Sequence, residues 1–388
     1  MKILEIIPLE KSIKAEINMP GSKSLTNRAL IIASIANGVS ILKNVSKSAD
    51  SEVLVQALKK LGVTIIKNAH EIKIIGNGGN FKSTNCQINV GEAGTAMRFL
   101  TSLVALIPGQ IKLIGSKRLM ERPINELKEA LKKIKTGKVL IRGNISSQFI
   151  SSLMMIASVL KKGLEINITG ELVSRSYVDM TIDLLNKFGV KVINNNYKTI
   201  LIKNQKIIAT HYEVEGDASG ASYFWALAAI TKSQINIKNV SVQSVQGDAK
   251  FRQLAKKISQ LNKNTTVDMS LMPDSAQTLA VLAAFRQGKT KITGLSTLKV
   301  KETDRLVALK NELNRMGIKS EITNSSITIF GGQLKAATIE TYGDHRMAMA
   351  FAVAGAKISG IKIKNPEVVN KSFPDYFQKL NYLGIKTI

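Results

Sequence analysis

The chain has 388 residues, 44% of them hydrophobic, a formal net charge of +27 and one cysteine. That length supports two domains with separate cores; Cys86 alone excludes an internal disulfide, and with three histidines it argues against a structural zinc site. No apolar run reaches the ~20 residues of a membrane span, and the charge points either to an anionic partner or to the Lys/Ile/Asn bias seen in "VINNNYKTILIKNQKII".

Met1 stands directly before a strand-like run, "KILEII", which leaves no room for a targeting segment and predicts a cytoplasmic, reducing setting. The stretch "MPGSKSLTNRALIIASIANG" comes next: a short polar turn, then an apolar helix closed by glycine. After it stands "ALKKLGVTII", an amphipathic helix, a glycine in the left-handed cap position and a strand. In "NCQINV" the residues Cys86, Ile88 and Val90 alternate onto one face, so Cys86 reads as a strand residue.

Both patterns recur. The turn and buried helix return in "QINVGEAGTAMRFLTSLVALIPG" (87–109), "VLIRGNISSQFISSLMMIASVLKKG" (139–163), "YEVEGDASGASYFWALAAITKS" (212–233), "TVDMSLMPDSAQTLAVLAAFRQG" (266–288) and "TIETYGDHRMAMAFAVAGAKISG" (338–360). The helix-glycine-strand pattern returns in "LLNKFGVKVI", "ELNRMGIKSEI" and "KLNYLGIKTI". The last copy stops at the C-terminus, and the N-terminus supplies the strand, polar turn and buried helix that should come after it. Six units are therefore expected, one split between the ends. Two units are shorter by roughly 15 to 20 residues: "ELKEALKKI" runs straight into "KTGKVLIRG", and "FRQLAKKISQLNKN" into "TTVDM", each without a glycine-strand-hairpin.

Helices such as "ASYFWALAAI" are apolar nearly all round and need cover on every side. Three of them bundled inside sheets, twice, account for six units. The predicted domains are 20–232 and a discontinuous 1–19 with 233–388, crossing near Pro20 and Lys232. If the polar turns converge between them, the site is an interdomain cleft.

Each turn precedes a helix, whose N-terminus with its free N–H groups attracts anions. Lys23, Ser24 and Arg28 stand at the first; Gly91 and Gly94 at the second; Ser146, Ser147 and Gln148 at the third; Asp274 at the fifth; Asp344, His345 and Arg346 at the sixth. Arg122 in "ERPI", Lys301, Glu302 and Arg305 in "KETDR", and Lys371 in "NKSFPDYF" join them. Singly, a Ser or Gly here is a cap and "KETDR" a solvated helix start. "GSKS" lacks the spacing of a Walker loop. Their recurrence at equivalent turns makes them a candidate site. Guanidinium forks recognise carboxylate and phosphate, and two acids can act as base and acid, which suits two anionic substrates and proton transfer.

"GSKSLTNRAL", "AGTAMR", "ERPI", "SSQF", "PDSAQTLAVLAAF", "VKETDR", "YGDHRMAM" and "KSFPDYF" together resemble, in order and along the whole chain, the 5-enolpyruvylshikimate-3-phosphate synthase family. The resemblance implies an α/β fold, the two-domain inside-out α/β barrel of six repeats, here with two truncated. It also implies transfer of the enolpyruvyl group of phosphoenolpyruvate to the 5-hydroxyl of 3-phosphoshikimate with release of phosphate. Addition comes first, then elimination from a tetrahedral intermediate. The 20–232 domain would be the shikimate-phosphate side. Asp274 would be the base, Glu302 would exchange the methyl proton, and Lys23 and Lys301 would stabilise developing charge. Lys23, Ser24, Arg28, Ser146, Ser147, Gln148, Ser174, Tyr177, Asp274, Thr297 and Lys301 would hold 3-phosphoshikimate. Lys23, Gly94, Arg122, Gln148, Arg305, His345, Arg346 and Lys371 would hold phosphoenolpyruvate. No metal or organic cofactor, nucleic acid or membrane is implied, and a monomer is expected.

The sequence departs from the family pattern in places. Glu92 replaces a usual Asn, Phe99 a usual Pro, "SRSY" a Ser-Lys-Pro-Tyr turn and Thr297 a frequent Asn. The truncated units should bare parts of buried helices and lower stability. Two other readings compete with this one. A degenerate, non-catalytic basic binding protein would fit the charge and the deletions, against intact Lys23, Asp274 and Glu302. The UDP-N-acetylglucosamine enolpyruvyl transferase lacks "GSKS", "SSQF" and "KETDR".

Overall fold

A computed structural model describes residues 2–68 and 71–388. The chain divides into two compact units, Pro20–Glu215 and Met1–Met19 with Gly216–Ile388. The second crossing therefore lies at Glu215, and the expectation of Lys232 is corrected. Strand His211–Glu213 pairs in parallel with Asn37–Lys43, and Glu215 O still accepts from Ser22 N at 2.8 Å. From Gly216, whose N–H reaches Asn239 O at 2.8 Å, the chain belongs to the other unit. Asn239 also takes both backbone groups of Met19 through its side chain at 2.8 Å. Both crossings thus precede a buried helix rather than come after it.

In the Pro20–Glu215 unit three apolar helices, Lys23–Ser34, Gly94–Val104 and Ser147–Ala157, pack on one another. Among the described residues the unit has three sheets. Two have four strands: His211–Glu213, Asn37–Lys43, Glu71–Asn77 and Thr64–Lys67; then Lys138–Arg142, Leu164–Thr169, Thr199–Ile202 and Ile193–Asn195. Each combines one parallel pair with an antiparallel hairpin. The third sheet is only the parallel pair Cys86–Asn89 and Ile111–Ile114. Parallel strands need a crossover; a buried helix supplies it for Cys86–Asn89 with Ile111–Ile114 and for Lys138–Arg142 with Leu164–Thr169, whereas Asn37–Lys43 and His211–Glu213 are joined through the rest of the unit.

The other unit repeats this plan. Helices Ala218–Thr231, Ala276–Ala284 and His345–Gly355 contact one another, and every residue of Ala276–Ala284 is buried. Its four-stranded sheet joins Thr265–Asp268, Gly288–Thr293, Ile327–Gly331 and Ser320–Ile322. Its two-stranded sheet is Lys14–Ile17 with Gln234–Ile237. The last sheet sets Thr338–Ile339 and Ile361–Lys364 beside Ile3–Ile6. The C-terminus completes it: Glu5 N donates to Ile388 O and Ile7 N to Lys386 O. One unit of the repeat is thus assembled from both chain ends.

The two-stranded sheets fall where the sequence lacks hairpins, and the helices beside them are less well covered. Ala228, Ala229 and Ile230 are only half-buried, as are Thr101 and Val104, whereas every residue of His345–Gly355 is buried. Amphipathic helices Ala49–Lys60, Ser176–Lys187, Arg305–Arg315 and Tyr376–Tyr382 each end before a glycine at φ between +78° and +87°, Gly62, Gly189, Gly317 and Gly384. Glycine suits that left-handed position because it has no Cβ to clash. Among the described residues no helix is long and apolar enough to cross a membrane.

Candidate active site

In the Pro20–Glu215 unit the helix N-termini lie together. Ser22 caps helix 23–34 by accepting from Leu25 N. That leaves half-buried Lys23 and Ser24 in the first turn, with Lys23 Nζ 3.1 Å from Asp50 Oδ2. Arg28, one turn on, is 1% exposed. Its Nε donates to Thr181 Oγ1 at 2.7 Å, Nη1 to Ser24 O at 2.9 Å, and Nη2 to Ser151 Oγ and Tyr177 O at 3.1 Å. The Phe99 and Tyr177 rings flank it, with centroids 5.2 and 5.9 Å from Cζ. All these oxygens are neutral, and burial lowers the guanidinium's pKa to about 10, so it stays charged at neutral pH. Arg28 thereby ties helices 23–34, 147–157 and 176–187 together.

Helix 94–104 has no side-chain cap. A Cβ on Gly94 would lie 2.7 Å from Arg122 Nη1, so glycine lets the guanidinium rest on the helix mouth. The Arg122 Nε is buried without a hydrogen-bond partner among the described residues. A cation set against the positive end of a helix creates a strong demand for an anion. Arg98 supports this arrangement, donating from Nη2 to Pro123 O at 2.9 Å and from Nη1 to Gly94 O at 3.4 Å. Gln148 Nε2 donates to Thr95 Oγ1 at 3.3 Å, bringing the third helix mouth to the second. Ser146 caps its own helix through Gln148 N, and Ser147 is buried beside it. Ser174, at φ +53°, turns the chain into helix 176–187 and places Tyr177.

The other unit gathers carboxylates. Asp274 sits in the short 3-10 turn Pro273–Ser275, and its side chain caps no helix. It accepts instead from Arg305 Nη1 at 3.2 Å and Arg346 Nη2 at 2.9 Å, with Lys301 Nζ at 3.7 Å. Arg346 Nη1 also takes Asp274 O at 2.9 Å. Arg305, 1% exposed, reaches Glu302 Oε2 at 2.9 Å and Asp344 Oδ2 at 2.7 Å as well. Burial alone would lower its pKa, but Asp344, Glu302 and Asp274 more than offset this and hold it above the ordinary value.

Asp344 is fully buried and caps helix 345–355 through Arg346 N at 2.8 Å. Glu312, also fully buried, accepts from Tyr342 Oη at 2.7 Å and Glu340 N at 3.1 Å, fixing the loop before Asp344. Lys371 ends the 3-10 turn Pro366–Lys371. Phe373 and Tyr376, with rings 5.6 Å apart, anchor that segment in the core, and Tyr376 Oη donates to Met349 O.

The structure brings Lys23, Ser24, Arg28, Gly94, Arg122, Ser146, Ser147, Gln148, Ser174 and Tyr177 into one unit, and Asp274, Thr297, Lys301, Glu302, Arg305, His345, Arg346 and Lys371 into the other. Three differ from an open ligand surface. Arg28 and Arg305 are 1% exposed and bonded to neighbours within their own units, and His345 is 1% exposed, with Nδ1 3.6 Å from Asp344 Oδ1. Thr297 Oγ1 is buried without a partner among the described residues. Glu92 is exposed. Sequence patterns alone did not mark Asp50, Arg98, Thr181, Asp248 or Glu312. Asp50 and Asp248 share a signal, an acid opening the outer helix after a buried-helix strand. Among the described residues no group of three or more His, Cys, Asp or Glu is placed to hold a metal ion.

The solved structures of EPSP synthase from Acinetobacter baumannii superpose with TM-scores of 0.83 and 0.81 at 22% identity, covering 100% of this chain and 99% of theirs, which is a likeness of fold. The 3-phosphoshikimate 1-carboxyvinyltransferase of Sulfurovum sp. (strain NBC37-1) is 38% identical over 415 positions, covering 96% of this chain and 97% of its own. That of Nostoc punctiforme is 38% identical over 419 positions, covering 98% of each. Both alignments exceed the 388 residues here, so those relatives carry segments with no counterpart in this chain. A family model for EPSP synthase matches residues 8–380, and the chain belongs to that family, the 3-phosphoshikimate 1-carboxyvinyltransferases.

Proposed function

We propose that the protein transfers the enolpyruvyl group of phosphoenolpyruvate to the 5-hydroxyl of 3-phosphoshikimate and releases phosphate. The observation that carries the reading is the cluster around Arg305, where Asp274 and Glu302 are both held by one buried guanidinium. Two carboxylates beside a lysine and two arginines suit proton transfer on anionic substrates. Asp274 takes the proton of the 5-hydroxyl as its oxygen bonds to C2 of phosphoenolpyruvate. C3 gains a proton, giving a tetrahedral intermediate. Glu302 serves the methyl group, giving C3 its proton and taking one back as the C2–O bond to phosphate breaks. Lys301 and Lys23 balance the developing charge.

The Pro20–Glu215 unit supplies the cation surplus that a phosphate needs. Lys23, Ser24, Arg28, Ser146, Ser147, Gln148, Ser174 and Tyr177 hold 3-phosphoshikimate, with Asp274, Thr297 and Lys301 from the other unit. Gly94, Arg122, Arg305, His345, Arg346 and Lys371, with Lys23 and Gln148, hold phosphoenolpyruvate. Arg122 on the uncapped mouth of helix 94–104 supports a phosphate or carboxylate there. Six parallel pairs among the described residues, four of them crossed directly by a buried helix, support the inside-out barrel of six repeats, two lacking their hairpins. A cytoplasmic monomer completes the reading. Phosphate release measured with both substrates, and with each alone, tests it. Release should require both; release from phosphoenolpyruvate alone, or none at all, would overturn it.

A further inference from the structure

Asp248 belongs to none of the motifs above. It stands in the 3-10 turn Gly247–Lys250 and is 5% exposed. Its Oδ2 accepts from Ser219 Oγ at 3.0 Å, in the first turn of helix 218–231. Its Oδ1 accepts from Ser275 Oγ, on the residue next to Asp274. The carboxylate therefore clasps two helix mouths and the turn that carries the proposed base.

The internal repeat gives this arrangement a reference. Setting "GSKS" against "GDAS" places Lys23 opposite Ala218, and setting "SADSE" against "QGDAK" places Asp50 opposite Asp248. Asp50 meets the Lys23 ammonium at 3.1 Å. Asp248 occupies the matching place, but its cation is gone and a serine hydroxyl has taken over. The charged groups acting on it are Asp274, which opposes its ionisation, and Arg346, which favours it. Burial first, then Asp274, push its pKa up to about 6, against the pull of Ser275, Arg346 and Ser219. A neutral amide would satisfy both hydroxyls without a buried charge. Keeping a carboxylate here costs stability at neutral pH, the kind of local conflict that marks a functional position.

We propose that Asp248 is a positioning residue for the reaction: through Ser275 it fixes the turn that presents Asp274, and its negative charge makes Asp274 a stronger proton acceptor. The inference rests on the reading of Asp274 as base, and like-charge repulsion between neighbouring carboxyls is its physical ground.

The test compares the intact protein with Asp248→Asn and Ser275→Ala. Turnover by the unaltered chain comes first, so failure of the reaction itself is recognised separately. Asp248→Asn should lower kcat by about tenfold or more with each KM within about twofold, because it removes base strength and not substrate contacts. The acid limb of its kcat profile should move to lower pH. Ser275→Ala, which keeps the charge and breaks the link, should lower kcat with the limb unmoved.

One readout needs no turnover. The Asp248 carboxyl binds protons more tightly folded than unfolded, so its contribution to stability is present at low pH and lost as pH rises through about 6. Asp248→Asn should abolish that component and leave the unfolding midpoint at pH 7.5 equal or higher. An unchanged kcat, or a lowered kcat with the acid limb unmoved and a lowered midpoint, would overturn the proposal. Should Asp248→Asn fail to fold, an unchanged kcat in Ser275→Ala would overturn it.

Discussion

Replacing Arg305 with methionine removes a guanidinium that touches Asp274, Glu302 and Asp344 while keeping a side chain of similar length. Arg305 is 1% exposed and Asp344 fully buried, so the variant leaves at least one carboxylate without that partner in a low dielectric. Breaking a buried pair by deleting one member costs about 3–5 kcal/mol. Asp274 and Glu302 are 15% exposed, and Arg346 still reaches Asp274, which favours the lower end. For a domain of this size each kcal/mol moves the unfolding midpoint by roughly 2–4 °C, so a fall on the order of 6–12 °C is expected.

The fall should depend on pH. An unpaired buried carboxylate binds protons more tightly folded than unfolded, so the variant regains stability as pH falls. Calorimetric scans at pH 8 and pH 5 should therefore show a larger deficit at pH 8. A midpoint within about 2 °C of the parent at both pH values would refute the reasoning. So would an equal deficit at both. Arg305→Lys, with a point charge in place of the fork, should fall between.

The same geometry has other measurable consequences. Gly94→Ala puts a methyl 2.7 Å from Arg122 Nη1; steady-state kinetics should show a raised KM for phosphoenolpyruvate with little change in that for 3-phosphoshikimate, and an unchanged KM would count against the anion seat on that helix mouth. Arg28→Ala should weaken 3-phosphoshikimate binding by about tenfold or more in calorimetric titration, a loss of one charge-assisted interaction; equal affinity would assign Arg28 a packing role alone. Native-state hydrogen exchange should find the Ala228–Ile230 amides opening before those of Met349–Val353, and the reverse order would show that the missing hairpin leaves its helix as well covered as the others. Glu312→Gln should raise the KM for phosphoenolpyruvate more than it lowers the unfolding midpoint, because one of the two donors, Tyr342 Oη or Glu340 N, loses its acceptor ahead of Asp344 and Arg346; parent-like kinetics would make Glu312 purely structural.

The repeat carried most of what the sequence revealed. Polar turns stood out because each interrupts an otherwise apolar unit, so Lys23, Asp274 and Arg346 were visible as a set. The missing hairpins were visible too, as an outer helix running into the next unit's strand with no hairpin between them, and two-stranded sheets stand at both places. The chain crossing was misplaced because it depends on which strand pairs with which: His211–Glu213 is held by Asn37–Lys43, and no local pattern marks that partnership. Partners far along the chain were hidden for the same reason. Arg28 is satisfied by Thr181 and Ser151, and Asp248 by Ser275 and Ser219, across more than a helix of intervening sequence. At Asp274 the residue type alone allowed a helix cap or a base. Only the geometry shows its carboxylate turned to Arg305 and Arg346.

The most direct test of the account is to monitor phosphoenolpyruvate and 3-phosphoshikimate with the protein in deuterated water by phosphorus and proton NMR. Phosphate should appear in one-to-one ratio with an enolpyruvyl ether at the 5-position, with deuterium entering its methylene group through the methyl stage of the tetrahedral intermediate. Phosphate without that ether, or both substrates returned unchanged, would contradict it.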